Sequence, residues 1–145
     1  MKGDMIPDQH HIARYCKPTD IEDEQILATA FKLRVIDNSL SVNWLEFLNC
    51  PSREKEIAEL RNILTTKLTV RSRAKIAVLN VGEVCKKVLK ESPDGRNLEV
   101  LHDPEFTEKY SDPSHSGIYN LRYDDELIAE LLLETVREVY PARQK

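Results

Sequence analysis

Ser52-Arg53-Glu54-Lys55-Glu56-Ile57-Ala58-Glu59-Leu60-Arg61-Asn62-Ile63-Leu64-Thr65-Thr66-Lys67-Leu68, followed by Ala74-Lys75-Ile76-Ala77-Val78-Leu79-Asn80-Val81, decides the fold class. In the first stretch Ile57, Leu60, Leu64 and Leu68 recur at helical spacing, with Ile63 beside them. Ser52 is a good N-cap, and Glu54 and Glu56 sit where the helix dipole favours negative charge. The second stretch, apolar at Ile76, Val78 and Val81 and punctuated by Gly82, reads as a strand. A helix leading into a strand in one short chain already points to mixed architecture.

Downstream, Val84, Cys85, Val88 and Leu89 suit a helical stripe, but Ser92-Pro93-Asp94-Gly95 is a turn signal. Leu98 to His102 reads as a strand, so a β-hairpin across 84–102 is expected. Residues 103–117 hold two prolines and several acids and read as a long loop. The last helix begins at Asp124-Asp125-Glu126 and carries Ile128, Leu131, Leu132, Thr135, Val136 and Val139 on one face, with Pro141 ending it.

Upstream, residues 1–24 are polar and acidic towards their end, an irregular N-terminal arm. Ile26 to Leu33 is a candidate strand, and Asp37-Asn38-Ser39 a turn. Ser41 can cap a short helix from Val42 to Leu48, closed by Asn49-Cys50-Pro51. The expectation is a single α+β domain over residues 1–145, with a small, largely antiparallel sheet and two main helices.

Size and composition fit that expectation. A chain of 145 residues is most simply one domain and long enough to bury a core without disulfides or metal. No apolar run approaches the roughly 20 residues that span a bilayer, and Met1-Lys2-Gly3-Asp4 lacks the apolar core of a secretory signal. Cys16, Cys50 and Cys85 have no CxxC spacing and read as reduced thiols in the cytoplasm. The net charge of −4 argues against bulk nucleic-acid binding. It hides an asymmetry: −3 over residues 1–52, +5 over 53–96 and −6 over 97–145. The basic middle (Lys67, Arg71, Arg73, Lys75, Lys86, Lys87, Lys90) is either a phosphate-binding face or a solvated face paired with acids.

The four histidines mark the candidate sites, because imidazole changes charge most easily near neutral pH. His10 and His11 precede Arg14 and Tyr15. A histidine beside a guanidinium suits a phosphate or carboxylate, the fork holding the anion while the ring moves a proton. The same segment can be a surface arm. In Asp112-Pro113-Ser114-His115-Ser116-Gly117, Asp112 can orient His115 through a turn, with Ser114 and Ser116 as neighbouring hydroxyls. The alternative is a hydrogen-bonded turn. Asn43 and Glu46, beside the only tryptophan, Trp44, can orient a histidine or contact a ligand, or else Trp44 is a core anchor and Glu46 solvated. The candidates are therefore His10, His11, Arg14, His115 and Ser116 for catalysis, and Tyr15, Asn43, Asp112 and Ser114 for ligand binding. His102, Asp103 and Cys16 add donors, but no HxxxH, HExxH or paired CxxC occurs, so no metal site is expected. Four scattered glycines make no phosphate loop, and no cofactor is expected.

Ile6 to Cys16 with its HHxxRYC segment, Leu40-Ser41-Val42-Asn43-Trp44-Leu45-Glu46 and Asp112 to Ile118, in that order, resemble a group of small uncharacterised bacterial proteins. The resemblance implies a bacterial, cytoplasmic protein, suggests that the three segments form one constellation, and points to a larger partner encoded nearby. It implies no particular activity.

Two functions remain open. One is an interaction or accessory module for a larger protein partner, oriented by the charge split. The other is a metal-independent enzyme or binder for a phosphate-containing ligand, RNA or nucleotide. There one imidazole acts as base, another as acid, and Arg14 holds phosphoryl charge. Convergence of His10 or His11, Arg14 and His115 on one cavity favours the second.

Overall fold

The computed structural model describes residues 3–143. Its centre is a six-stranded sheet in which every neighbouring pair is antiparallel. The strands in chain order are β1 (His11–Cys16), β2 (Ile21–Glu22), β3 (Gln25–Ile26), β4 (Leu40–Trp44), β5 (Lys75–Asn80), β6 (Glu99–His102), β7 (Glu105–Phe106), β8 (Ser111–Asp112), β9 (His115–Tyr119) and β10 (Glu138–Pro141). The main sheet runs β10-β5-β1-β4-β9-β6, while β2 pairs with β3 and β7 with β8 in two small ribbons. Three α-helices complete the α+β fold: α1 (Arg53–Lys67), α2 (Val81–Glu91) and α3 (Glu126–Glu134).

Each face of the sheet has its own core. Ile12, Val42, Leu79, Val100 and Ile118 pack under α2, α3 and the 3-10 turn Ala28–Phe31. Ala13, Ile76 and Val78 pack under Ile57, Leu60 and Leu64 of α1. A fully buried side chain such as Ile12 or Ile76 contributes roughly 1.5–3 kcal/mol over its exposed state.

The helix after Ser52 and the strand after Ala74 form as expected. Ser52 Oγ accepts the Lys55 N–H at 3.2 Å, capping α1, and Ala74 to Val81 contains β5. Several other expectations need correction. The 1–24 arm is irregular only in part: the described residues before His11 hold turns and one isolated bridge at Met5, but β1 lies inside the sheet, paired with β5 over six residues. The 26–33 stretch is mostly a 3-10 turn, because Ala30 and Phe31 are adjacent and both buried, which a strand cannot arrange. The 42–48 helix is instead β4 and a short 3-10 turn, Glu46–Leu48. Val42 and Trp44 turn to one core and Asn43 to the opposite face, a period of two.

The hairpin at 84–102 is α2 followed by β6. Asn80 caps α2 by accepting the Glu83 N–H at 2.9 Å, and Val81, Val84 and Val88 are buried at helical spacing. The Ser92–Gly95 turn stops that helix rather than joining two strands, with Gly95 at φ +58°. The 103–117 loop holds β7, β8 and the start of β9. The last helix stops at Glu134. Thr135 closes it, and Val139 and Pro141 belong to β10, an edge strand where a missing N–H is tolerated. The described residues thus hold three helices, with α2 added to the two expected.

One close approach holds the loop before β4 against β9. A Cβ on Gly117 would lie 2.5 Å from Ser39 Oγ, 2.9 Å from Ser39 Cβ and 3.0 Å from Tyr119 Cε1. Gly117→Ala is expected to cost about 1–3 kcal/mol in urea unfolding, as overpacking does. Adding Ser39→Gly should recover most of that loss. An unchanged midpoint for Gly117→Ala would show the approach to be looser.

Candidate functional site

The three segments His10–Cys16, Leu40–Glu46 and Asp112–Ile118 supply three neighbouring strands, β1, β4 and β9. The β1–β4 ladder is short: only Ile12↔Trp44 and Ala13↔Asn43 pair. Beyond Ala13 the two strands separate, while β4 stays paired with β9 down to Leu40↔Ile118. The gap opens as a cleft of about 530 Å³, lined by Arg14, Tyr15, Ser41, Asn43, Lys67 and His115 among others.

Arg14 bridges the gap. Its Nε donates to the Ala30 carbonyl at 2.9 Å and its Nη1 to the Ser41 carbonyl at 2.9 Å. The guanidinium thus serves a β4 carbonyl that has no strand partner on that side. Burial lowers the Arg14 pKa from its ordinary value; Cys16, Asp20 and Asp37 oppose the shift and Arg34 adds to it. Among the described residues Arg14 forms no ion pair within 4.0 Å with a carboxylate.

His115 faces Asn43 across the β4–β9 ladder, and its ring reaches diagonally to Ser41. Nδ1 lies 2.7 Å from the Asp103 carbonyl, which only accepts, so Nδ1 carries the proton and donates it. Nε2 is then an acceptor for the Ser41 hydroxyl, 3.1 Å away. Glu105 Oε2 lies 3.7 Å from the same nitrogen. The cleft therefore holds a hydroxyl, an imidazole and a carbonyl that fixes the tautomer.

A buried polar network lies beside this pair. The Asp112 carboxylate, fully buried, accepts from Asn43 Nδ2 at 2.8 Å, from Ser114 Oγ at 3.2 Å and from Lys67 Nζ at 2.7 Å. Lys67 also donates to Glu105 at 3.0 Å and lies 5.2 Å from the Tyr110 ring centre. Burial alone would lower the Lys67 pKa, but its hydrogen bonds and charge interactions with Asp112 and Glu105 outweigh that, and the net shift is upward.

The remaining candidates lie elsewhere. His10 accepts the Trp44 Nε1–H at 2.9 Å and packs against that indole. His102 donates to the Pro113 carbonyl at 2.7 Å and meets Trp44 edge-on. His11 donates to Glu46 Oε2 at 2.6 Å, so Glu46 orients a histidine, though not one in the cleft. Ser116, adjacent to His115 on a strand, points to the opposite face and donates to the Ser114 carbonyl. Asp112 anchors the turn but does not orient His115; the Asp103 carbonyl does. Of the catalytic candidates, Arg14 and His115 share the cleft, whereas His10, His11 and Ser116 do not line it. Tyr15 and Asn43 line it, and Asp112 and Ser114 buttress it.

Sequence reasoning missed Ser41 and Lys67 as parts of this cleft. The alternation Leu40-Ser41-Val42-Asn43-Trp44 was the available signal, since a strand puts Ser41 and Asn43 on one face. Among the described residues no group of three or more His, Cys, Asp or Glu is placed to hold a metal ion, and no helix is long and apolar enough to cross a membrane.

No protein-family model matches the chain, and no match was found among curated proteins or solved structures.

Removing one partner from a buried pair leaves an uncompensated charge, so Lys67→Met is expected to cost about 3–5 kcal/mol near neutral pH. Lys67 has a raised pKa, so its charged contribution is complete below the ordinary value of 10.5 and fades as pH rises through the folded value. The gap between wild type and Lys67→Met in urea unfolding should narrow above that point. A gap that is flat or widens there would contradict this account of the network.

Proposed function

We propose that the cleft between β1 and β4 binds a phosphate-bearing ligand, a nucleotide or RNA, without metal or cofactor. The observation that carries this reading is that Arg14, Ser41 and His115, from three neighbouring strands, line one cleft. Asp20 and Asp37 line the same cleft, but neither is within ion-pair distance of the Arg14 guanidinium, which keeps donor capacity for an anion. Phosphate oxygens accept from such a fork and from a serine hydroxyl.

His115 is the proton-handling group in this reading. Its Nε2 can take a proton from Ser41, or from a ligand hydroxyl that displaces Ser41, while the Asp103 carbonyl holds Nδ1–H in place. A two-imidazole acid–base scheme finds no support, because His10 and His11 bond to Trp44 and Glu46. If turnover occurs, one imidazole and one hydroxyl do the proton work, and Arg14 holds charge on the phosphoryl oxygens.

A second reading is an interaction or accessory module for a larger protein. Val35 and Ile36 favour it: adjacent apolar residues, 73% and 78% exposed, on the loop between Arg34 and Asp37 at the cleft rim. Three free cysteines fit the cytoplasmic bacterial setting that goes with it.

Calorimetry with uridine monophosphate tests the first reading. Wild type is expected to bind, and Arg14→Lys to weaken binding by at least tenfold, the loss expected for a hydrogen bond to a charged group. Ser41→Ala and His115→Gln should weaken it less while leaving the melting temperature within a few degrees. Absence of binding by wild type, or full binding by Arg14→Lys, would overturn the proposal. For the second reading, Val35→Ser with Ile36→Ser should abolish capture of a partner from host extract; undiminished capture would exclude that loop.

A further inference from the structure

The cleft does not end at Tyr15. A second concavity of about 740 Å³ continues from it, sharing Tyr15, Lys17 and Leu68 as a common wall. Its remaining polar lining includes Arg71, Arg73 and Arg143 and no acidic residue. Lys17, Arg71, Arg73 and Arg143 are all exposed. Among the described residues none of the four is in an ion pair. That contrasts with Lys32, Arg34, Lys75, Lys87 and Arg137, which pair with carboxylates. A third concavity shares Ser72, Arg73 and Arg143 and adds Arg61 and Lys75, with Glu24 as its one acid.

In a chain of net charge −4, unpaired cations collected along one groove create a local field opposite in sign to the whole molecule. A single phosphate needs one or two of them. A row leading away from Arg14 suits a ligand with phosphates at regular intervals. Tyr15 stands at the junction, half-buried, and Tyr123 on the cleft wall is 65% exposed. Aromatic rings between cations are the elements on which splayed bases stack.

We propose that the ligand is a single-stranded nucleic acid. Its backbone runs from the Arg14–His115 cleft past Tyr15 and Lys17 onto Arg71, Arg73 and Arg143. The proposal rests on the phosphate reading of the cleft and extends it to a substrate class. Stacking needs unpaired bases, which distinguishes this ligand from a duplex, an acidic peptide or an anionic membrane.

The test is fluorescence anisotropy of the whole chain with a labelled twelve-nucleotide oligouridine, run beside uridine monophosphate, a duplex of the same length and phosphatidylserine vesicles. The oligonucleotide is expected to bind at least about 100-fold more tightly than the mononucleotide, and its affinity to fall with salt at a slope near −3, about −0.7 per neutralised phosphate. Arg71→Gln with Arg73→Gln, both at exposed positions, should reduce that slope by about 1.4. Tyr15→Leu should weaken the oligonucleotide about tenfold and leave the salt slope unchanged, as loss of stacking does. Equal affinity for oligonucleotide and mononucleotide, a slope unmoved by the double substitution, or preference for duplex or vesicles would overturn the proposal. Mononucleotide binding that depends on Arg14 would in that case leave the cleft reading standing. Oligonucleotide binding that needs Arg71 and Arg73 but ignores Arg14 and His115 would instead remove the cleft reading and keep the groove.

Discussion

The Asp112 carboxylate is the constraint on which the site depends. It is fully buried, and a buried carboxylate is tolerated only when its lone pairs are occupied. Asn43 brings β4 to it, Ser114 ties the turn before β9 to it, and Lys67 brings the last turn of α1. Three remote parts of the chain meet on one atom group. Because Asn43 is paired with His115, fixing Asn43 also fixes where the imidazole stands. The network thus converts a polar burial problem into a positioned histidine.

The cleft follows from a second constraint. β1 is bound to β5 along its whole length and β4 to β9, so the short β1–β4 ladder is where the sheet can part. Parting leaves the Ser41 carbonyl of β4 in need of a donor, and Arg14 supplies it from Nη1 while its Nε serves the Ala30 carbonyl of the nearby 3-10 turn. A lysine could offer charge but not two fixed, coplanar donors aimed at two carbonyls. The same residue that repairs the sheet carries the positive charge into the opening. The phosphate reading therefore turns on Arg14 more than on any histidine, since in that proposal one guanidinium would both brace the sheet and meet the ligand.

What was legible in the sequence follows from where local rules and tertiary structure agree. The α1 cap and stripe and the apolar run of β5 obey their own periodicities, so both could be read directly. β1 could not, because His11, Arg14 and Tyr15 interrupt its apolar pattern; His11 and Arg14 are satisfied by partners farther along the chain, Glu46 and Ala30. β4 was masked by Ser41, a plausible cap whose hydroxyl in fact serves His115 across 74 residues of sequence. In α2 the turn at Ser92–Gly95 was real but carried the wrong meaning, ending a helix instead of a strand. For the cleft, residue type pointed to Arg14, Asn43 and His115, all three of which line it. Ser116, pointed to alongside them, lies outside the cleft, because neighbouring residues on a strand face apart.

The most direct measurement is nitrogen-15 NMR of the His115 ring and the Arg14 guanidinium, before and during titration with single-stranded oligouridine. In the free protein His115 should show Nδ1–H held in its hydrogen bond to the Asp103 carbonyl, and both Nε2 and the Arg14 Nε signal should shift as oligouridine is added. An Nδ1 free of that hydrogen bond, or binding that leaves both side chains unmoved while signals change around Val35 and Ile36, would contradict the account.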